Sequence, residues 1–296
     1  MLSLNPKELP QPKLHQYLLG AIGPRPIAFA STIDTQGRAN LAPYSFFNVF
    51  SSNPPILIFS PARRGRDNTT KHTLENALAT RECVINIVNY GMVEQMSLAS
   101  TEYPEGVSEF EKAGLTPIAS EAVRPFRVKE APVQFECKIN DIVALGTQGG
   151  AGNLVICEVV RIHISEYILD EEGRISPMKI DQVARMGGHY YTRANQGLFQ
   201  LPQPTTQIGI GFDRLPADVR TSPILTGSDL ALLAGVEMIP NETEVNEYKL
   251  TELDELFLEN EGKASELERQ LHLKAQGLLA EKKIMEAWMT LLSFNN

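Results

Sequence analysis

The sequence predicts a mainly β fold: an antiparallel barrel closed on itself, with helices inserted and a helical extension behind it. Three observations support this. Short alternating or continuous apolar runs recur between residues 26 and 169. Most are joined by tight-turn sequences rather than by crossover helices, which argues against a doubly wound sheet. The last third then changes to helical spacing rich in Glu, Leu and Lys.

In chain order, "PIAFASTID" alternates Ile27, Phe29, Ser31 and Ile33 against Ala28, Ala30 and Thr32, and "DTQG" at 34–37 is a hairpin turn. "ANLAPYSFF" reads as the returning strand and "PILIFS" as the next. A helix beginning near Thr70 follows, with Leu74, Ala77 and Leu78 on one face and Lys71 and Thr73 in its first turn. "CVINIV" returns to strand, and residues 91–125 read as short helices and loops. In "VQFECKIND", Val133, Phe135, Cys137 and Ile139 are expected inward and Gln134, Glu136 and Lys138 outward. "GTQGGAGN" is a loop, "LVICEVVRIHISEYIL" a long strand and "DEEG" a turn. The domains are placed at 1–204 and 205–296, with "LPQPTTQ" as linker. Beyond it, Ser228 or Asp229 is the helix N-cap candidate, and helix breaks are expected near Gly262 and Gly277.

Composition bounds the function. A net charge of −9 and a pI near 5.2 argue against a broad nucleic-acid surface, though not against a local anion pocket. Three separated cysteines without CxxC fit a reducing cytoplasm and small buried strand positions. The apolar runs are too short and too often interrupted by charge to span a membrane, and the N-terminus lacks a signal peptide's apolar centre. The chain therefore reads as soluble and cytoplasmic. Its five histidines lack metal-ligand spacing, and no GxSxG, Walker A or Rossmann glycine pattern is present.

Three stretches carry chemistry. In "SPARRGRDNTTKHTLENA", Arg63, Arg64 and Arg66 precede a helix start. Cations are unfavourable there unless an anion joins them, which points to a phosphate. "NLAPYSFFNVFSSNPP" interleaves Tyr44, Phe46, Phe47 and Phe50 with Ser45 and Asn48. It suits either a core strand or a wall for a flat aromatic ligand, with donors at Ser45, Asn48 and the backbone beside Ala42 and Phe46. "ARMGGHYYTR" places Arg185, His189, Tyr190 and Tyr191 around Gly187-Gly188, which fits a turn with surface aromatics equally with a close backbone approach to a ligand.

Taken in order, "PRPIAFASTIDTQGRANLAPYSFFNVFSSNPP", the basic loop with "TTKHTLEN", "RECVINIV" and "VARMGGHYY" resemble the flavin reductase-like family, over roughly residues 15–200. The resemblance implies an FMN-binding split β-barrel. It implies cofactor contacts from Ala42, Tyr44, Ser45, Phe46, Asn48, Ser60, Thr70, Lys71, Thr73, Arg185 and Tyr190. The family pattern has an acidic residue where this chain has His72. The resemblance further implies hydride transfer from NADH or NADPH to FMN, a homodimer, and an onward acceptor such as a monooxygenase, with no residue assigned a catalytic role. A flavoredoxin-like electron carrier reduced by a protein partner and a non-catalytic flavin-binding barrel are the alternatives. The terminal helices are expected either to restrict access to the flavin or to act as a stability appendage.

Overall fold

The computed structural model describes residues 1–201 and 208–295 and divides into two compact units, Met1–Phe199 and Gln200–Asn296. In the first, α1 (Gln11–Ala21) leads into β1 (Ala28–Ile33), β2 (Ala39–Tyr44), β3 (Phe47–Ser52) and β4 (Pro55–Phe59). Next come α2 (His72–Thr80), β5 (Glu82–Ile87), α3 (Val93–Leu98), α4 (Glu109–Ala113) and the two-residue strands β6 (Pro117–Ile118) and β7 (Arg127–Val128). The long pair β8 (Val133–Ala144) and β9 (Asn153–Ile164) and the small hairpin β10 (Val183–Arg185) and β11 (Tyr191–Arg193) complete it.

Seven strands form one antiparallel sheet in the order β2-β1-β5-β8-β9-β4-β3. Its two edges, β2 and β3, are consecutive in sequence, with only Ser45 and Phe46 between them. Three residue steps span at most about 11 Å. The edges are therefore drawn together, and the sheet rolls into a barrel whose seam lies at β2/β3. This is the split barrel that the family resemblance implies, but "ANLAPYSFF" is two strands broken at the seam rather than one.

β1 does not alternate between buried and exposed, because every position is buried. Its alternation separates two cores instead. Ala28 and Ala30 face the barrel interior with Tyr44, Phe59, Ile85 and Val155. Ile27 and Phe29 pack outward with Leu41, Met92, Met96 and Phe110 under α3 and α4. A similar cover corrects the outward assignment of Gln134 and Glu136, which are 6% and 0% exposed. Glu136 accepts the N–H groups of Glu121 and Ala122 and bonds His163 Nε2 at 2.7 Å, so its burial is matched by partners. The three cysteines, distant in sequence, converge inside the barrel, with Cys83 Sγ 3.6 Å from Cys157 Sγ.

α2 begins at His72 with Lys71 in the N-cap position, two residues later than the start expected near Thr70. No side chain caps it: Thr69 Oγ1 donates to Asp67 and Thr70 Oγ1 to Glu75. Leu74 and Ala77 are buried, whereas Leu78 is half exposed, because a helix this short buries only a narrow stripe.

The second unit is helical: α5 (Ala217–Arg220), α6 (Gly227–Ala234), α7 (Glu242–Glu252), α8 (Asp254–Glu259), α9 (Ala264–Ala280) and α10 (Ile284–Leu292). Leu233, Ala275, Leu279 and Leu291 surround Trp288, whose Nε1–H donates to the Leu233 carbonyl at 3.0 Å. Thr226, not Ser228 or Asp229, is the N-cap of α6, and Asp229 answers it from the third helical position as a capping box. The break near Gly262 is present, with φ +74°, but Gly277 lies within α9. The second break instead uses Lys282 at φ +64°. Most of the expected linker, 202–207, lies outside the described residues. Among the described residues no helix is long and apolar enough to cross a membrane.

Candidate functional site

The basic loop between β4 and α2 folds on its own polar groups. Arg63 donates through Nε to Asn68 Oδ1 at 2.7 Å and Arg64 through Nη1 to Thr69 Oγ1 at 3.1 Å, with a further bond to the Thr70 carbonyl. Asn68 holds φ +59°, a conformation asparagine tolerates better than most residues. Asp67 accepts the N–H and hydroxyl of Thr69, and these bonds pull its pKa down to about 2. The loop is thereby stiffened with its cations on one side. Together with Gln11, His15 and Lys71, Arg63, Arg64 and Arg66 line a cleft of about 440 Å³.

Lys71 links this cleft to a narrower one lined by Asn40, Ala42, Tyr44, Arg64, Thr73 and Glu109. Burial lowers its pKa, and Arg64 adds to the strain, while Glu102 pulls the other way. Its Nζ lies 5.7 Å from the centre of the Tyr44 ring, within reach of a cation–π attraction. Tyr44 is buried at 6% exposure and packs its ring 5.5 Å from that of Phe59, yet its hydroxyl has no hydrogen-bond partner among the described residues. Burial raises the phenol's pKa strongly. Thr73 Oγ1 beside it accepts from Asn40 Nδ2 at 2.8 Å. Glu102 pairs with Arg64 at 2.9 Å and also with Arg66, and these bonds hold its carboxyl below the ordinary range.

These residues fit the phosphate that the family resemblance implies. A partly buried ammonium and a buried hydroxyl left over among the described residues are donors in want of an anion or polar acceptor, and beside them lie three guanidinium groups, two of which a phosphate would share with Glu102. The backbone also comes close. Gly150, at φ +88°, lines the cleft, and a Cβ there would lie 2.5 Å from Gln11 Nε2.

A second cluster forms at the barrel seam. Arg25, only 5% exposed, donates Nη1 to the carbonyls of Leu19 (2.7 Å) and Ile22, Nη2 to that of Met186 (2.8 Å), and Nε to Ser45 Oγ at 3.5 Å. Burial, and then the neighbouring Arg185, lowers its pKa. Arg185 stacks over Tyr191 at 4.7 Å and donates to its hydroxyl and to the Gly188 carbonyl. Gly187 approaches α1 so closely that a Cβ would lie 3.2 Å from Gly20 Cα.

Of the sequence-predicted residues, Ala42, Tyr44, Lys71 and Thr73 meet in one cleft, and Ser45 joins Arg185 through Arg25. Phe46 touches the edge of the basic cleft through the ring of His15, 6.4 Å away. Ser60 is buried, its Oγ accepting the Asn153 N–H at 3.0 Å, and Thr70 bonds Glu75. Asn48 is exposed, with Oδ1 accepting the neighbouring Val49 N–H, and Tyr190 is 78% exposed. Sequence reasoning missed Arg25, His15 and Glu102. Only Arg25 carried a local signal, a cation between two prolines at the head of an apolar strand.

The split barrel has counterparts among known proteins. An uncharacterized protein of Aquifex aeolicus is 41% identical over 188 residues, covering 64% of this chain and 93% of the relative. The structure of nitrilotriacetate monooxygenase component B from Bacillus cereus is similar at 35% identity and a TM-score of 0.64, covering 68% of this chain and 98% of that one. That of 2-nitrobenzoate 2-nitroreductase from Pseudomonas fluorescens aligns at 27% identity and a TM-score of 0.61, covering 71% and 100%. Residues 21–180, more than half of the chain, match the family model of the flavin reductase like domain, and the protein belongs to that family.

Proposed function

We propose that this flavin-related oxidoreductase is an NAD(P)H-dependent FMN reductase with its flavin seated between the basic cleft and the barrel seam. The observation that carries the reading is the cationic cleft reached by Lys71 and bordered by the orphaned Tyr44 hydroxyl. Bound FMN supplies the hydride-accepting ring, and the protein supplies place and charge. Lys71, Arg64 and Thr73 hold the phosphate end, where burial makes each charge-assisted bond stronger than in water. Ser45 and the main chain from Ala42 to Phe46 meet the polar edge of the ring. Arg25 keeps that wall fixed against the Arg185–Met186 backbone. The reading needs no acid–base residue and assigns none.

The similarity to a monooxygenase component supports an onward acceptor in a partner monooxygenase, and the likeness to a nitroreductase supports direct use of the reduced flavin on an aromatic acceptor. A homodimer belongs to the same proposal. Ile162 and Ile164 share one face of β9 beyond the β-bulge at Val160, at 50% and 41% exposure, an apolar row that a second copy would cover.

The deciding experiment is an anaerobic visible spectrum of the protein with FMN, before and after NADH or NADPH. Bleaching within catalytic times is expected, and the faster nicotinamide identifies the reductant. Bound flavin that neither nicotinamide reduces would overturn the reductase in favour of an electron carrier or a redox-silent binder.

A further inference from the structure

The helical unit lies beyond residues 21–180, the part matched by the family model, and contains a polar cleft of its own. α9 turns Leu271, Ala275 and Leu279 into the core at four-residue spacing. Beside that stripe His272 is also buried, at 4% exposure, where an aliphatic residue would meet no desolvation cost. It lines a cleft of about 360 Å³ between the face of α9 that carries Ser265, Glu268 and Arg269 and the segment from Asp218 to Ile224.

The hydrogen bonding of Ser222 fixes which form of the imidazole faces the cleft. Ser222 Oγ accepts the N–H groups of Ile224 and Leu225, both at 3.2 Å, which occupies its two lone pairs. Its one proton is left for His272 Nδ1, 2.7 Å away. The neutral ring therefore carries its own proton on Nε2, which has no partner among the described residues. Burial lowers the His272 pKa and favours this neutral form, while the carboxylates of Glu268 and Asp218 pull against it.

The lining is amphoteric. Glu268 makes no hydrogen bond or ion pair among the described residues, and Asp218 engages one oxygen with Asn295 Nδ2 at 3.1 Å. Arg269 uses Nη1 on Glu266 at 3.1 Å, and its other donors have no partner among the described residues. Pro223 and Ile224 add an apolar wall. Two carboxylates, an imidazole N–H donor, a guanidinium and a small apolar surface complement one kind of molecule: a zwitterion with an ammonium, a carboxylate and an apolar side chain.

We propose that this cleft is a binding site for a free α-amino acid with an apolar side chain. The ammonium meets Glu268 and Asp218, the carboxylate meets His272 Nε2–H and Arg269, and the side chain rests on Pro223 and Ile224. The site is separate from the flavin chemistry and rests on none of it.

The test is calorimetric titration of the full-length protein with L-leucine, with leucinol (no carboxylate) and 4-methylpentanoate (no ammonium) as comparators. Saturable binding of L-leucine is expected, with each comparator weaker by at least about 10-fold, the scale of one charge-assisted hydrogen bond. Glu268→Gln, at a partly buried position with no bond to lose among the described residues, should fold normally and weaken L-leucine by about the same factor. Absence of saturable heat, equal binding of the comparators, or an unaffected Glu268→Gln variant would each overturn the proposal. Long-range proton–nitrogen NMR of ¹⁵N-histidine-labelled protein tests it without a variant: His272 should show a protonated Nε2 that shifts on adding L-leucine. A protonated Nδ1 instead would remove the donor on which the site depends.

Discussion

Arg25 and Arg185, 160 positions apart in sequence, are joined by two antiparallel backbone hydrogen bonds, N–H of Arg25 to O of Arg185 at 2.9 Å and the reverse at 2.8 Å. Two cations tolerate this closeness because the Arg25 guanidinium is spent on carbonyls at the end of α1 and in the glycine turn. Lysine has the charge but not the planar fork, so it cannot reach Leu19, Met186 and Ser45 together. Arg25→Lys should leave at least one buried carbonyl unpaired and cost about 1–3 kcal/mol. Thermal unfolding gives the loss in stability, and FMN titration should show weaker binding as the Ser45 wall loosens. Unchanged flavin affinity at reduced stability would make Arg25 a structural strut only.

Glu102 sits across the cations that a phosphate needs. Neutralising it in Glu102→Gln should tighten FMN by roughly 3- to 10-fold, since Arg64 and Arg66 lose a competitor, while an exposed pair of this kind costs less than about 1 kcal/mol of stability. Lys71→Met should do the opposite, weakening FMN by at least about 10-fold while leaving riboflavin unchanged. Fluorescence titration with both flavins separates the effects, because only FMN carries the phosphate. Equal losses for FMN and riboflavin would place Lys71 at the ring rather than at the phosphate.

The barrel was legible because alternation, turn residues and chain continuity all agree from residue 27 to 59. The seam was not, because Ser45-Phe46 sits inside a run whose composition remains strand-like, and the break reflects closure of the whole sheet. Glu136 misled for a related reason: period two assigns a face but not what covers it, and here the 119–128 segment does. In the candidate site, Lys71 and Thr73 were expected from local chemistry at a helix start, and the structure brings both to one cleft. His15 and Glu102 come from other elements and carry no signal in their own neighbourhoods. The N-cap of α6 was missed by two or three residues because Thr226, Ser228 and Asp229 all have capping chemistry, and only geometry selects Thr226.

Gly152 offers a cleaner test of the loop before β9. A Cβ there would lie 2.7 Å from Ser60 Oγ, the acceptor of the Asn153 N–H. Gly152→Ala must push Ser60 aside and disturb that bond, so a loss of about 1–3 kcal/mol is expected in denaturant unfolding. Adding Ser60→Ala should recover part of the loss by making room. No recovery in the double variant would mean the clash is relieved elsewhere.

The apolar row on β9 tests the dimer. Ile162→Arg places a charge where a partner would have to bury it, at a position half exposed in the single chain. Light scattering should then report a monomer, against the dimer proposed for the parent protein, with the barrel's circular dichroism preserved. A variant that stays dimeric would move the interface elsewhere.

The pH dependence of the helical unit follows from His272. Burial lowers its pKa below the ordinary 6.5, so between those two values the unfolded chain binds the proton that the folded ring refuses. Stability therefore rises with pH across that window. It is fully present above 6.5, declines as pH falls through that value, and stops declining below the folded pKa. Glu268 and Asp218 narrow the window by favouring the charged ring. The readout is specific to this unit, because the chain's single tryptophan, Trp288, is buried in its core. The urea midpoint followed by tryptophan fluorescence should fall between pH 7.5 and 5.5, and His272→Gln, which does not titrate, should flatten that fall. A midpoint equally pH-dependent in His272→Gln would assign the effect to other groups and leave His272 without a role in it.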